Sequence, residues 1–211
     1  DAVLLMGPLY SITEYHVRLL AIRESHRLLK DDGILFSAAL TPYSVLVSRL
    51  TLYHRDGSKK RREMDDPRIL SIIERALRDG CYINPGKEIA TGIGSSHLHT
   101  AKALREELAL GGFRTGSIHG VMGGAWLAPT LDELLANEAS RAVLMKTIRM
   151  MDTHEEIIGL SGHMLAVSRK TDERIVAEPE ACYSYLKPHF FSGNAVQSLS
   201  HVLALCEGPA E

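Results

Sequence analysis

The first forty residues of the chain contain two apolar runs separated by an amphipathic segment, and this pattern constrains the fold more than any other. The runs are Ala2–Met6 and Ile34–Leu40. Between them, residues that share one helical face recur at steps of three and four: Tyr15, Leu19, Ile22, His26 and Leu29. Two strands joined by one helix pair in parallel through a right-handed crossover. The pattern therefore predicts a βαβ unit and an open α/β sheet.

Turn and capping residues mark the limits of this unit. Gly7 and Pro8 follow the first run, Thr13 is the predicted N-cap of the helix, and Asp31-Asp32-Gly33 ends it. An apolar strand of a parallel sheet needs neighbours for its backbone and for both of its faces. We therefore expect the faces of Ala2–Met6 to be buried and further strands to precede Asp1 in a longer natural chain. In the chain as given, we expect the first strand to have an exposed edge and to favour aggregation or dimerisation.

The rest of the chain divides into an insertion, a resumed α/β alternation and a tail. Residues of about 42–79 predict a helical insertion, because Pro42 and Asp66-Pro67 each mark a helix start. The alternation then predicts helices over 100–110, 130–137 and 139–152 and strands over 113–121 and 162–168. We assign residues 1–170 to one domain and residues 171–211 to an appendage of unknown role.

Charge and hydropathy exclude several classes of partner. The chain has 24 Lys and Arg against 26 Asp and Glu, a formal net charge of −2, which gives no field that attracts nucleic acid or an anionic membrane. No apolar run approaches the ~18 residues of a membrane span, and no basic flank precedes the first apolar run. We therefore predict no nucleic-acid partner, no membrane partner and a cytoplasmic location. The oligomeric state is left open.

A pair of histidines is the main group of chemistry-bearing side chains. His97 and His99 are two residues apart, and His119 is a possible third member. Imidazole serves both as a metal ligand and as a base near neutral pH. Because no carboxylate or thiolate lies at a reinforcing spacing, we predict no metal site. A base, a substrate contact, a helix cap and a plain surface position remain open for these histidines.

Four stretches together resemble the C-terminal half of class I S-adenosylmethionine-dependent methyltransferases of the type 11 and type 12 kind. They are Asp1–Tyr10, Arg27–Leu40, Ser95–Phe113 and Gly159–Lys170. The resemblance covers about residues 1–170 and implies strands four to seven of a Rossmann-like sheet, with the last strand antiparallel. The first three strands of the family, with its glycine-rich cofactor loop, would precede Asp1. Ser11 and Asp31-Asp32-Gly33 depart from the family pattern.

The resemblance also implies a function and a set of site residues. The implied reaction is methyl transfer from S-adenosylmethionine to a small-molecule acceptor, with His97 or His99 as the base. The residues implied to line the methionine side of the cofactor are Met6, Gly7, Leu9 and Tyr10, and those implied to contact the acceptor are Tyr43 and Trp126. The alternative is a cofactor-free scaffold or partner-binding module on a degenerate methyltransferase fold.

Overall fold

A computed structural model describes residues 1–47, 66–84, 94–121, 123–128 and 130–171, except for the side chain of Trp126. These residues form a mixed α/β structure. Its strands are β1 (Ala2–Met6), β2 (Ile34–Leu40), β3 (Cys81–Tyr82), β4 (Ser96–His97), β5 (Phe113–Gly120) and β6 (His163–Lys170). Its helices are α1 (Pro8–Ser11), α2 (Tyr15–Leu28), α3 (Pro67–Asp79), α4 (Ala101–Leu110), α5 (Leu131–Ala136), α6 (Glu138–Met151) and α7 (Glu155–Leu160).

Four strands form one mixed sheet in the order β1-β2-β6-β5. β1 pairs in parallel with β2, while β6 lies between β2 and β5 and is antiparallel to both. The expected βαβ unit and the antiparallel last strand are therefore confirmed. Because β1, β2 and β5 run in one direction, they end at the same side of the sheet, where β6 begins. We call this side, marked by Met6, Leu40, Gly120 and His163, the carboxyl edge.

The main hydrophobic core lies where the sheet packs with α2 and α4. Ile22 and Leu104 from these helices are fully buried together with Leu35, Phe113 and Met164 from the strands. Full burial of such a side chain contributes about 1.5–3 kcal/mol relative to exposure, so these contacts hold the helices on the sheet. None of the described helices is long and apolar enough to cross a membrane.

The predicted helix at Asp66-Pro67 is confirmed as α3, and its end leads into a small ribbon. The Asp66 side chain accepts a hydrogen bond from the Arg68 amide at 2.9 Å, which caps the helix start. Gly80 ends α3 with φ +63°, and its carbonyl accepts a hydrogen bond from the Leu98 amide at 2.7 Å. An added Cβ at Gly80 would lie 2.5 Å from the Leu98 oxygen, so this approach requires glycine.

Several local expectations differ from the structure. The Thr13 N-cap is wrong: α2 begins at Tyr15, and the Thr13 carbonyl accepts a hydrogen bond from the Arg18 side chain at 2.9 Å. The short helices α1 and α7 and the antiparallel ribbon β3/β4 were not expected, because elements of two to six residues leave little periodicity. Residues 48–65 of the predicted insertion and the predicted appendage beyond residue 171 lie outside the described residues.

The expectation that β1 is buried is wrong for most of the strand, because three of its five residues are exposed and only Leu5 is buried. Leu4 is 67 % exposed and Met6 is 47 % exposed, whereas Leu5 is buried in the main core. Within the described residues β1 pairs with one neighbour, β2, so its other side offers unpaired backbone groups. An outer strand with exposed apolar side chains is a template for pairing with another chain.

We therefore predict that the 211-residue chain associates through β1. Met6→Lys should reduce the mean mass in light scattering, because a charge on an outer strand opposes edge-to-edge pairing. Val143→Lys is the matched control, because Val143 is also exposed but lies on α6. A wild-type chain that scatters as a monomer, or equal effects of the two substitutions, would contradict the prediction.

Candidate functional site

The carboxyl edge collects loops from distant parts of the chain. The loop after β1 forms α1, which packs against both β2 and β4. β4 is held at the end of β2, because the His99 amide donates a hydrogen bond to the Leu40 carbonyl at 2.8 Å. The Thr41 amide donates to the Gly162 carbonyl at 2.8 Å, which joins the end of β2 to the start of β6. Open α/β sheets bind ligands at this side.

The four residues expected to contact the cofactor lie together at the end of β1. Gly7 has φ +132°, which glycine adopts at little cost, and it opens the turn into α1. The Tyr10 hydroxyl lies 3.7 Å from the position of a Cβ on Gly7, and the Tyr10 ring meets His163 edge to face at 6.3 Å. Leu9 is fully buried in the main core, so the structure does not expose this expected contact residue to a ligand.

The residues expected to contact the acceptor follow β2 and β5. Tyr43 is about half exposed, and its ring lies 3.4 Å from the position of a Cβ on Gly159 in α7. Trp126 belongs to the 3₁₀ turn Ala125–Leu127, and its side chain lies outside the described structure. The backbone thus brings both loops to the carboxyl edge, while the roles of the two residues stay predictions.

The two expected catalytic histidines are in contact. The rings of His97 and His99 are perpendicular, with centroids 4.4 Å apart. His97 is the last residue of β4, and His99 precedes α4, whose N-cap is Thr100. His99 is fully buried, so the alternative of a surface position does not hold for it, and the helix cap is Thr100 instead. Its ring therefore lies where water is excluded.

His99 belongs to a buried network that the sequence did not indicate. Its Nε2 lies 2.8 Å from Glu107 Oε2, and Arg18 Nε donates to Glu107 Oε1 at 3.0 Å. Arg18 also donates through Nη1 to the carbonyls of Ile12 at 3.1 Å and Thr13 at 2.9 Å. The network therefore links α2, α4, the chain between α1 and α2, and the residue that follows β4.

Two features of the sequence could have pointed to this network. Arg18 lies one turn before Ile22, and Glu107 lies one turn after Leu104, so both charges occupy the buried faces of amphipathic helices. Charged residues are almost never fully buried unless they are paired. Glu107 also supplies the carboxylate near the histidines, from eight residues further along the chain.

The pKa values of Glu107, a member of the network, and of His97, its neighbour, are both lowered. Burial is the main cause that lowers the pKa of His97 to about 2; the charge of Arg18, and that of His99 when its ring is protonated, act in the same direction. Burial alone would raise the pKa of Glu107, but hydrogen bonds and charge interactions with His99 and Arg18 outweigh it, so the net shift is downward. Glu107 is thus ionised and His97 is neutral at physiological pH.

These charges determine which nitrogen of His99 carries a proton. An ionised carboxylate only accepts hydrogen bonds, so His99 Nε2 donates to Glu107. In the neutral ring Nδ1 then holds a lone pair, and no group in the described part of the chain forms a hydrogen bond with it. A buried imidazole that is oriented by a carboxylate and has a free acceptor nitrogen is suited to taking up a proton.

The same side chains also form a possible set of metal ligands. One ligand atom from each of His97, His99 and Glu107 lies within 4.8 Å of the others. Arg18, however, already contacts Glu107, so a divalent cation would be buried beside a guanidinium with one carboxylate to balance both charges. This charge balance favours proton transfer over metal binding. The third histidine, His119, lies in a different cluster of the described structure.

Comparisons with known proteins do not identify a family for this chain. No model of a known protein family matches the chain, and no curated protein matches it either.

We predict that Arg18→Met destabilises the chain strongly, because it leaves the buried Glu107 carboxylate without its cationic partner. Breaking one side of a buried ion pair costs about 3–5 kcal/mol in the free energy of unfolding, measured by urea denaturation. The double variant Arg18→Met/Glu107→Leu should lose less than the sum of the two single variants, because it removes both charges.

The control for this experiment is a second Arg–Glu pair on α2. Arg27 contacts Glu24 at 2.6 Å, but both side chains are exposed. Arg27→Met should change the free energy of unfolding little, because solvent screens an exposed pair. Equal losses for Arg18→Met and Arg27→Met would contradict the structural role of the network.

We also predict that acid destabilises the chain through His97. Since its folded pKa is about 2 and its ordinary value is 6.5, the unfolded state binds a proton below about pH 6.5 that the folded state does not. The free energy of unfolding should therefore fall as pH falls, with a contribution approaching about 1.4 kcal/mol per pH unit between about pH 6 and 4. Glu107, with its lowered pKa, adds a further loss below about pH 4.5.

Urea denaturation across this pH range measures the effect. His97→Gln should flatten the slope above about pH 4.5, where Glu107 does not yet contribute. His16→Gln is the control, because His16 is solvent-exposed on α2. A slope that is the same in His97→Gln and the wild type would show that another group causes the acid loss.

Proposed function

We propose that this chain is the C-terminal half of a class I S-adenosylmethionine-dependent methyltransferase that acts on a small-molecule acceptor. The strand arrangement carries the proposal: two parallel strands joined by a helix, and a last strand antiparallel to both of its neighbours. A Rossmann-like sheet of this kind is what the sequence resemblance implies. Support also comes from the carboxyl edge, where the loops that bear the expected site residues lie together.

The residues at the end of β1 fit the methionine side of the cofactor. Among the described residues that are not its chain neighbours, a Cβ on Gly7 would meet one atom within 4 Å, the Tyr10 hydroxyl at 3.7 Å, so this part of the structure leaves space beside the backbone. Met6 and Gly7 would bind through their backbone groups and Tyr10 through its ring, while the buried Leu9 would hold this turn on the core. When bound, S-adenosylmethionine supplies a methyl group attached to a sulfonium sulfur, which is a good leaving group.

His99 is the better base of the two histidines. A pKa of about 2 makes His97 a weak proton acceptor at neutral pH. His99 instead offers Nδ1 from a ring that Glu107 orients and Arg18 supports. In this proposal His99 Nδ1 removes the proton from the O–H or N–H group of the methyl acceptor. The neutral ring of His97 lines the site beside it. Because the ring is buried, the acceptor must uncover Nδ1 as it enters.

The test is a titration of the ¹⁵N-labelled chain with S-adenosylhomocysteine, followed by amide chemical shifts. We expect shifts at Met6–Tyr10 with a Kd weaker than about 100 µM, because one wall of a site does not offset the cost of fixing a flexible ligand. Adenosine is the control ligand. It should leave these amides in place, because the residues of this chain face the methionine side.

Two outcomes would overturn the proposal. The absence of shifts at about 10 mM S-adenosylhomocysteine would favour the cofactor-free scaffold, since even a half-site should hold the ligand weakly. Shifts at positions remote from the carboxyl edge would place any binding elsewhere. A low-micromolar Kd would contradict the narrower claim that this chain provides only part of the cofactor site.

A further inference from the structure

We propose that Ser117, His119 and Asp152 form a second catalytic centre, in which Ser117 is a nucleophile for acyl transfer from small esters. His119 Nε2 lies 2.9 Å from Ser117 Oγ, and His119 Nδ1 lies 3.1 Å from Asp152 Oδ2. A nucleophile, a base and an orienting carboxylate are thus in hydrogen-bond contact in the order that activates a hydroxyl. This centre does not use S-adenosylmethionine, so it stands apart from the proposed methyl transfer.

The local fold of β5 brings the three groups together. Ser117 and His119 are two residues apart on one strand, so both side chains project from the same face. The pairing of β5 with β6 is irregular between Thr115 and Ser117, which leaves Gly116 as an extra residue directly before the nucleophile. Such bulges re-aim the side chains that follow them.

The Asp152 carboxylate determines which atoms of His119 and Ser117 carry the protons. The ionised Asp152 carboxylate only accepts, so His119 Nδ1 donates to it. Nε2 of the neutral ring then has the lone pair, and the Ser117 hydroxyl must donate to it. The serine proton therefore already points at the nitrogen that would remove it.

The position of Asp152 suits the charge that develops during attack. Asp152 is the C-cap of α6, and its carbonyl accepts a hydrogen bond from the Gly120 amide at 2.6 Å, which fixes α6 against the end of β5. The C-terminal end of a helix carries partial negative charge. This end and the carboxylate both stabilise an imidazolium at His119, which exists only after the proton has moved.

The balanced reaction has two halves. Ser117 Oγ forms a bond to the ester carbonyl carbon while its proton moves to His119 Nε2, and the C–O bond to the alcohol then breaks as Nε2 protonates the leaving oxygen. Water next attacks the acyl-serine, gives its proton to Nε2 and releases the acid, and the serine recovers its hydrogen. No oxidant or cofactor is consumed.

The site is open to such a substrate. The His119 side chain is 34 % exposed and that of Asp152 is 20 % exposed, in contrast to the buried ring of His99. Ser117 itself is partly exposed, so a small ester does not have to displace the core to reach it. The nucleophile sets the chemical class of the substrate, which is an ester whose alcohol leaves readily.

The experiment uses a fluorophosphonate probe on the 211-residue chain, with the modified peptide identified by mass spectrometry. We expect covalent labelling at Ser117 and its loss in Ser117→Ala. His119→Ala should slow labelling by about 100-fold or more, the usual contribution of a positioned base. Added imidazole should restore part of the rate in His119→Ala, which a merely structural role for the ring would not allow.

Ser71 provides the matched control. It is exposed, whereas Ser117 is partly buried, and its hydroxyl donates to the Arg68 carbonyl at 2.8 Å, so its proton is directed to a backbone oxygen that is not a base. Ser71→Ala should leave labelling unchanged. Circular dichroism of each variant checks that it is folded, and Asp152→Asn provides a second variant that keeps the shape of the site. Equal labelling of Ser71 and Ser117, or an unchanged rate in folded His119→Ala and Asp152→Asn, would overturn the proposal.

Discussion

The carboxyl edge depends on one buried ion pair. Arg18 on α2 and Glu107 on α4 are almost completely inaccessible to solvent, and each charge compensates the other. The pair also binds the carbonyls of Ile12 and Thr13 and the ring of His99, so the loop before α2 and the chain before α4 are fixed by the same contact. Hydrophobic packing alone would fix these helices less specifically, because apolar contacts have no direction.

Local pattern predicted most of the secondary structure. The steps of three and four between Tyr15 and Leu29 gave α2, Asp66-Pro67 gave the start of α3, and the predicted helix over 100–110 matches α4. The prediction failed where elements are too short to show a period, as for α1 and the β3/β4 ribbon. It also failed at Leu4 and Met6, because an apolar run does not reveal whether both faces of a strand are covered.

Sequence reasoning identified only some residues of the candidate site. His97 and His99 attract attention because imidazole is scarce and chemically versatile, but their behaviour is set by Glu107 and Arg18, whose positions depend on how α2 and α4 pack. The same limit applies to His119. Ser117 could be paired with it from strand periodicity, whereas Asp152 is brought to it where the end of α6 is hydrogen-bonded to the end of β5.

Two imidazoles at one edge of the sheet are each oriented by a carboxylate, yet their surroundings assign them different chemistry. Around His99 the cation Arg18 already balances the carboxylate and solvent is excluded, so a proton taken up there must leave with the product. Around His119 no described cation contacts Asp152, and solvent is close, so an imidazolium can persist while bonds to Ser117 form and break. The charges around each histidine–carboxylate pair therefore decide the role of the histidine more than the pair itself does. One histidine holds a proton briefly, and the other passes it between two partners.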